Sequence, residues 1–458
     1  MTFTSGLFLI GILPFFAIIY NCFRTKKPAA RKTLLFFINA LYLLWGGTGS
    51  FLFLCAFSLA VSFLAFLTCK YRNKVVLAGS VLLTVAPLLF FKYTRFVIET
   101  INSLTGFHLT TASLFIPTGI SFVTFEALSL LIDLYKGSGD KAPSPFHTWL
   151  YLCFFPTVTS GPIIQYSEFE KGLLNPGVTE DYTTAIERIA IGLAKKTLVA
   201  DKLSLLVNYY FDGVAVGSSY SCPGLWIGSI AYTLQLYFDF SGYSDMAVGI
   251  GELLGFRIRE NFNKPYQAYS ISDFWKRWHI SLTRWFRDYI YIPLGGNRCP
   301  THRHLTNMLT VWLLTGIWHG ADWSFLVWGI GYFLLLVSEK YLPLKFTRTP
   351  NPVGRIYTLF FVNLLWVPFR AGNLATAGKY LAGMFGGGNL QLEEKAVHFL
   401  PLLTAAILFC FPWEKTFRRF RSVKVFSVAR GFLFIALVCW AVCSTTNAAY
   451  APYIYGNF

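Results

Sequence analysis

The chain has 458 residues, of which 55% are hydrophobic, 18% aromatic and only 13% charged, with a mean hydropathy of +0.51. That composition excludes a soluble globular domain and places the chain among polytopic membrane proteins. Its 39 Lys and Arg outnumber 22 acidic residues, but the basic residues fall in short loops between apolar runs, so positive-inside topology accounts for them and nucleic acid is not expected as a partner.

Apolar runs near the ~20 residues needed to cross a bilayer recur at about 5–23, 33–46, 49–69, 75–91, 112–132, 148–166, 187–211, 224–254, 305–338, 355–370, 397–412 and 431–450. They predict an all-α polytopic membrane protein with roughly eleven transmembrane helices, some broken or re-entrant. The first run is followed, not preceded, by basic residues: Arg24, Lys26, Lys27, Arg31 and Lys32. It should stay attached, with the N-terminus extracytoplasmic and this basic loop in the cytoplasm. The next hairpin turns at Gly46-Gly47-Thr48-Gly49 and returns to Lys70, Arg72 and Lys74 on the same side. No internal repeat or long soluble linker is evident, so one integral-membrane domain over 1–458 is expected. Pro117-Thr118-Gly119 and Thr159-Ser160-Gly161-Pro162 put helix breakers inside apolar surroundings. Broken helix at membrane depth is tolerated only where freed backbone groups face protein or a watery cavity. These segments are either such breaks or loops between shorter helices.

The longest polar stretch, 257–304, reads as a basic amphipathic cytoplasmic segment. Within it Ser272–Tyr291 predicts one helix capped by Ser272 or Asp273, with Phe274, Trp278, Leu282, Trp285 and Tyr289 at helical spacing and Lys276, Arg277, Arg284 and Arg287 largely elsewhere. Such a helix lies at a membrane interface. His279 shares a stripe with Trp275, Leu282 and Phe286 and should point inward; the residues alone leave it open between a satisfied buried histidine and a functional one. Gly251 and Gly255 have the spacing of close helix packing. Cys299, His302 and His304 lack a matched second pair, so no metal is expected. The nine cysteines are scattered singly and read as small core residues. No phosphate loop, dinucleotide fingerprint or nucleophile elbow is present, and no bound cofactor is expected.

His319 stands in Trp318-His319-Gly320 within the apolar run 305–338. An ionisable ring at bilayer depth is costly and marks a functional site by default. Gly316 and Gly320 flank it, with Trp312, Trp318, Trp323 and Trp328 around it, so the run is expected to break into two helices near His319. That break also returns Lys340, Lys345 and Arg348 to the basic side.

Several segments strongly resemble the membrane-bound O-acyltransferase family. They are Phe238-Asp239-Phe240-Ser241-Gly242-Tyr243-Ser244-Asp245, Glu260-Asn261-Phe262-Asn263 with Pro265-Tyr266, Phe274-Trp275-Lys276-Arg277-Trp278-His279, Trp285-Phe286-Arg287-Asp288-Tyr289 through Asn297-Arg298, and Trp318-His319-Gly320. Phe154-Phe155-Pro156 with Ser160-Gly161-Pro162 fits the bacterial branch that modifies alginate and teichoic acids. The resemblance is densest over about 117–338; the tail Tyr453–Phe458 matches only loosely. It implies helices around a funnel or tunnel, with His319 as principal catalytic histidine and His279 as the second. An acyl thioester, either acetyl-coenzyme A or a carrier-protein thioester, would arrive from the cytoplasm. The acceptor would be a hydroxyl of an extracytoplasmic polysaccharide, reached through a partner protein at the plasma or inner membrane.

The chemistry can be stated independently. A thioester is already activated, so the enzyme must take a proton from a hydroxyl, stabilise an oxyanion and limit attack by water. A neutral imidazole, with a reference pKa of ~6.5, suits the first task. His319 is the expected base; His279 would orient the donor, donate a hydrogen bond to the thioester carbonyl or pass the proton onward. Lys276, Arg277, Arg284 and Arg287 suit the donor's phosphates. D-alanyl transfer is an alternative. A transporter with His319 as proton relay and a non-catalytic scaffold are competing classes, although the repeat-related broken helices of many transporters are not evident.

Overall fold

The computed structural model describes residues 5, 7–23, 27–110, 114–137, 141–177, 182–386, 389–411 and 424–447. Arg24, Lys26 and the tail Tyr453–Phe458 lie outside the described residues. Helices dominate and no strand occurs among the described residues, as expected where lipid offers the backbone no hydrogen-bonding partner. Among the described residues three helices are long and apolar enough to cross a membrane: Thr48–Tyr71, Lys74–Thr105 and Pro352–Ala371. The second continues past the apolar run that suggested it, with Pro87 inside it and a π turn at Leu89–Tyr93, both of them features at which helices kink.

The described residues divide into two compact units, one of residues up to 189 with 244–259, the other of 190–243 with 260–447. In the first unit, Gly119 has φ +78°, and a Cβ there would overlap the Val158 carbonyl. The two breaker segments therefore pack on each other. Pro117-Thr118-Gly119 leads into the helix Ile120–Tyr135, and the Thr159 segment follows the helix Pro145–Leu152. Arg31, counted in sequence as a loop cation, lies in the helix Pro28–Gly46, is buried, and donates to the Leu173 carbonyl. A carbonyl in the last turn of the helix Tyr166–Leu174, rather than solvent, accepts from this guanidinium. Gly255 also departs from expectation: it lies beyond the helix Cys222–Leu253 at φ +76°, while Phe256 N–H returns to the Gly251 carbonyl at 2.8 Å. It ends a helix instead of packing one. Close approach falls to Gly249, where a Cβ would lie 2.7 Å from the Ala185 carbonyl oxygen.

In the second unit, Lys196 is buried between Asp201 at 2.8 Å and Asp239 at 2.7 Å. Removing one partner of such a group leaves an uncompensated buried charge, which costs about 3–5 kcal/mol. Lys196→Met is expected to lose stability of that order, read as a lowered thermal midpoint of the detergent-purified protein; an unchanged midpoint would show that the cluster is not a fixed part of the fold.

The helices Thr301–His319 and Trp323–Tyr341 form the antiparallel hairpin that positions the site. A Cβ on Gly316 would lie 2.5 Å from the Phe325 carbonyl oxygen, and one on Gly329 would lie 2.5 Å from that of Trp312. The two backbones meet because both positions lack side chains.

Candidate active site

The expected break beside His319 is present. The first helix ends at His319, Gly320 is extended, and Asp322 caps the next helix by accepting from Ser324 N–H at 2.7 Å. A Cβ on Gly320 would overlap the Phe325 ring, so the tight turn depends on glycine. His319 is 2% exposed. Its ring is walled by Trp318 at 4.7 Å, Trp328 at 5.0 Å and Phe369 at 5.1 Å between centroids. Trp323, expected nearby, is half exposed. Trp366 and Phe369 belong to the helix Pro352–Ala371 and carried no sequence signal, because they lie in a separate apolar run.

The single helix expected over Ser272–Tyr291 is not formed. A short helix, Ile271–Trp275, is capped by Ser270, whose hydroxyl accepts from Asp273 N–H at 2.9 Å. His279 then turns left-handed (φ 44°, ψ 54°) and a second short helix runs Ile280–Phe286 before a π turn at Arg287–Tyr291. The cause is tertiary: the Asn261 carbonyl takes Ile280 N–H at 3.0 Å, and Asn263 N–H donates to the Arg277 carbonyl at 2.9 Å. These bonds hold a non-glycine residue in a conformation that costs of order 1–3 kcal/mol. Glu339 anchors the first turn by accepting from Ile271 N–H at 2.5 Å and from Ser272 N–H at 2.9 Å and its hydroxyl at 2.8 Å. Both faces of the segment are buried: Phe274, Trp278, Trp285 and Tyr289 as well as Trp275, His279, Leu282 and Phe286. It is woven into the unit.

His279 does point inward, as its stripe predicts, with no exposed surface. Phe240 meets it edge-on at 4.6 Å and Trp318 lies 6.2 Å away, so both histidines share the Trp318 indole. Its Nδ1 is 3.3 Å from Asn261 Oδ1. Burial pushes its pKa down to about 3, so the ring is neutral at physiological pH.

A chain of rings leads outward from His319. Trp328 is 5.9 Å from Trp275 and 6.0 Å from Trp312, and those two are 4.9 Å apart. Trp275 and Trp312 are also in the wall of a cavity of about 250 Å³, together with Ser272, Thr283, Lys276 and Arg287. The four predicted phosphate-binding cations thus separate. Lys276 and Arg287 line the cavity. Arg277 pairs with Asp273 at 3.0 Å, while Arg284 and Arg287 pair with Asp288 at 3.5 and 2.8 Å. Lys276 has no ion-pair partner among the described residues. Neither histidine lines this cavity, nor the 410 Å³ apolar cavity beside Trp226 and Phe360, nor the 590 Å³ one beside Leu9 and Leu253. The indole N–H groups of Trp275, Trp328 and Trp366 and the Tyr332 hydroxyl are buried without a hydrogen-bond partner among the described residues. They are a store of donors around Trp328, the ring that packs on His319.

Among the described residues, no group of three or more His, Cys, Asp or Glu could hold a metal ion. His304 instead bonds Tyr341 at 2.7 Å through Nδ1, with Tyr291 at 2.9 Å and Lys340 at 3.1 Å from Nε2.

Residues 103–374 match the model of the membrane-bound O-acyltransferase family. The chain is 38% identical over 313 residues to a probable alginate O-acetylase, AlgI, of Pseudomonas aeruginosa, covering 67% of this chain and 59% of the relative. It is 36% identical over 365 residues to the peptidoglycan O-acetyltransferase of Helicobacter pylori, covering 72% and 68%. With the teichoic acid D-alanyltransferase of Bacillus subtilis the identity is 29% over 316 residues, covering 64% and 78%. The chain thus spans under two thirds of the length of the alginate relative.

Proposed function

Because this chain belongs to the membrane-bound O-acyltransferase family, we propose that it moves an acetyl group from a cytoplasmic thioester to a hydroxyl of an extracytoplasmic polysaccharide. Membership favours an integral-membrane O-acyltransferase over the transporter and scaffold readings. In the proposed arrangement about eleven spans surround a funnel in the inner membrane, with the N-terminus outside. A partner protein hands the acetyl group to the polymer. No bound cofactor is invoked: acetyl-coenzyme A, or a carrier-protein thioester, is a substrate. Acetyl is preferred to D-alanyl because the relatives named for acetylation are the more similar, 38% and 36% identical against 29%.

One observation carries the reading: two buried histidines share Trp318, and an aromatic path runs from His319 to a cavity bearing Lys276 and Arg287. Lys276 and Arg287 would hold the donor's phosphates and the tryptophans its apolar arm. His319 would take the proton of the acceptor hydroxyl as that oxygen attacks the thioester carbonyl. The thiolate then leaves, and the buried indole N–H groups are donors suited to the oxyanion.

The direct test incubates vesicles containing the purified protein with radiolabelled acetyl-coenzyme A and alginate or another envelope glycan. Transfer or thioester cleavage is expected. Neither occurring, with coenzyme A or a carrier thioester, would overturn the reading. In the same assay Lys276→Gln should raise the donor KM about two- to fivefold with kcat little changed, the size of one partly exposed ionic contact. A kcat loss at constant KM would remove Lys276 from donor binding.

A further inference from the structure

We infer, on the reading just given, that Asn261 is a positioning residue that holds His279 with its proton on Nδ1, so that His279 meets substrate through the lone pair of Nε2, as an acceptor.

The argument begins with the amide. Asn261 is 1% exposed, and its Oδ1 lies 3.1 Å from Ser281 N and 2.9 Å from Ser281 Oγ. A backbone N–H can only donate, so the Asn261 atom facing it must be oxygen; the amide group would set donor against donor. His279 Nδ1 is 3.3 Å from that same oxygen. A ring nitrogen so placed must carry hydrogen, since a bare nitrogen would oppose lone pair to lone pair. In a neutral imidazole one nitrogen donates and the other accepts. A proton on Nδ1 therefore leaves the lone pair on Nε2.

The surroundings allow little adjustment. Ile280 N–H is tied to the Asn261 carbonyl at 3.0 Å, the His279 backbone is left-handed, and Phe240 stands perpendicular to the ring at 4.6 Å. Turning the imidazole over by half a rotation would bring its Cδ2 against Asn261 Oδ1 and give up the bond. Asn261 thus does for His279 what a carbonyl or carboxylate oxygen on the far nitrogen does for any functional imidazole: it fixes tautomer and orientation together.

This selects among the three roles open in the sequence. With Nε2 bare, His279 does not donate a hydrogen bond to the thioester carbonyl. It accepts, either from an N–H or O–H of the donor that it orients or from the proton being passed onward.

The test is spectroscopic and needs no turnover. Protein labelled with nitrogen-15 histidine is studied in lipid by solid-state magnetic resonance, with His279 identified by subtracting the His279→Asn spectrum. The expected wild-type signature is a protonated Nδ1 and a bare Nε2. A protonated Nε2 in the wild type overturns the inference, whatever any variant does. Asn261→Asp, which keeps the acceptor, should keep the proton on Nδ1. Asn261→Leu should lose that preference, and its persistence in the leucine variant would overturn the role of Asn261. Kinetically, Asn261→Leu should lower kcat at least about tenfold, toward the hundredfold scale of acid–base catalysis, with donor KM within about twofold and a smaller loss for Asn261→Asp. A kcat equal to wild type in the leucine variant overturns the positioning role. Absence of turnover in the wild type refutes the proposed function and leaves the tautomer to be judged on its spectrum.

Discussion

Replacing His319 by alanine is expected to lower acetyl transfer in vesicles by at least about a hundredfold, the lower range of a lost general base. The protein should still fold, because the ring packs by edge contacts on Trp318, Trp328 and Phe369, while the turn rests on Gly316, Gly320 and the Asp322 cap. The loss should therefore appear in kcat, with the donor KM governed by the separate cavity at Lys276 and Arg287. Thioester cleavage by water should fall along with transfer, since both need a proton taken from the attacking oxygen. Equal rates in the wild type and His319→Ala would remove the imidazole from the mechanism. A parallel fall in KM would mean instead that the ring had been opposing ground-state binding. A thermal midpoint close to wild type is the control that separates lost chemistry from lost structure.

The two histidines differ in how far the sequence exposed their settings, and the difference is physical. At His319 the local residues decide the geometry: Gly316 and Gly320 bracket the ring and no bulkier residue fits either place. The break, the hairpin and the burial could all be read from one run. At His279 the local pattern points to a continuous helix, because Phe274, Trp278, Leu282, Trp285 and Tyr289 do follow a helical period. The decision is made by Asn261 and Asn263, residues far enough away that only the folded chain brings their backbone groups to Ile280 and Arg277. Periodicity records which side chains are buried but not where a backbone bond from elsewhere interrupts the ladder. The inward direction of His279 was legible, whereas the left-handed turn was not. Charge behaved similarly. Four cations were visible near the predicted donor face, but the division between the cavity and the carboxylates of Asp273 and Asp288 belongs to three-dimensional packing. Arg31 shows the converse error, in which counting charges in a loop missed a guanidinium committed to the interior. The membrane class and helical fold followed from composition, because lipid leaves the backbone so few alternatives.

The hairpin glycines offer the most selective structural test of how His319 is placed. Gly316 lies one turn before His319, and a methyl group there would meet the Phe325 backbone oxygen at 2.5 Å. Backbone cannot swing aside as a side chain can, so Gly316→Ala must push the two helices apart or tilt them. Overpacking of this kind costs about 1–3 kcal/mol, small enough for the protein to be purified. The effect on transfer should exceed the effect on stability, because misplacing a reacting group by ~1 Å can cost on the order of a hundredfold. Gly331 supplies the contrast within the same hairpin. A methyl group there would meet Leu365 Cδ2, also at 2.5 Å, but this atom is the end of a flexible chain that can adopt another rotamer. Gly331→Ala should therefore leave both the thermal midpoint and kcat near wild type. Equal losses in the two variants would mean that His319 does not depend on close helix approach. A loss confined to Gly316→Ala, greater in kcat than in stability, would tie the position of the imidazole to the separation of the two backbones.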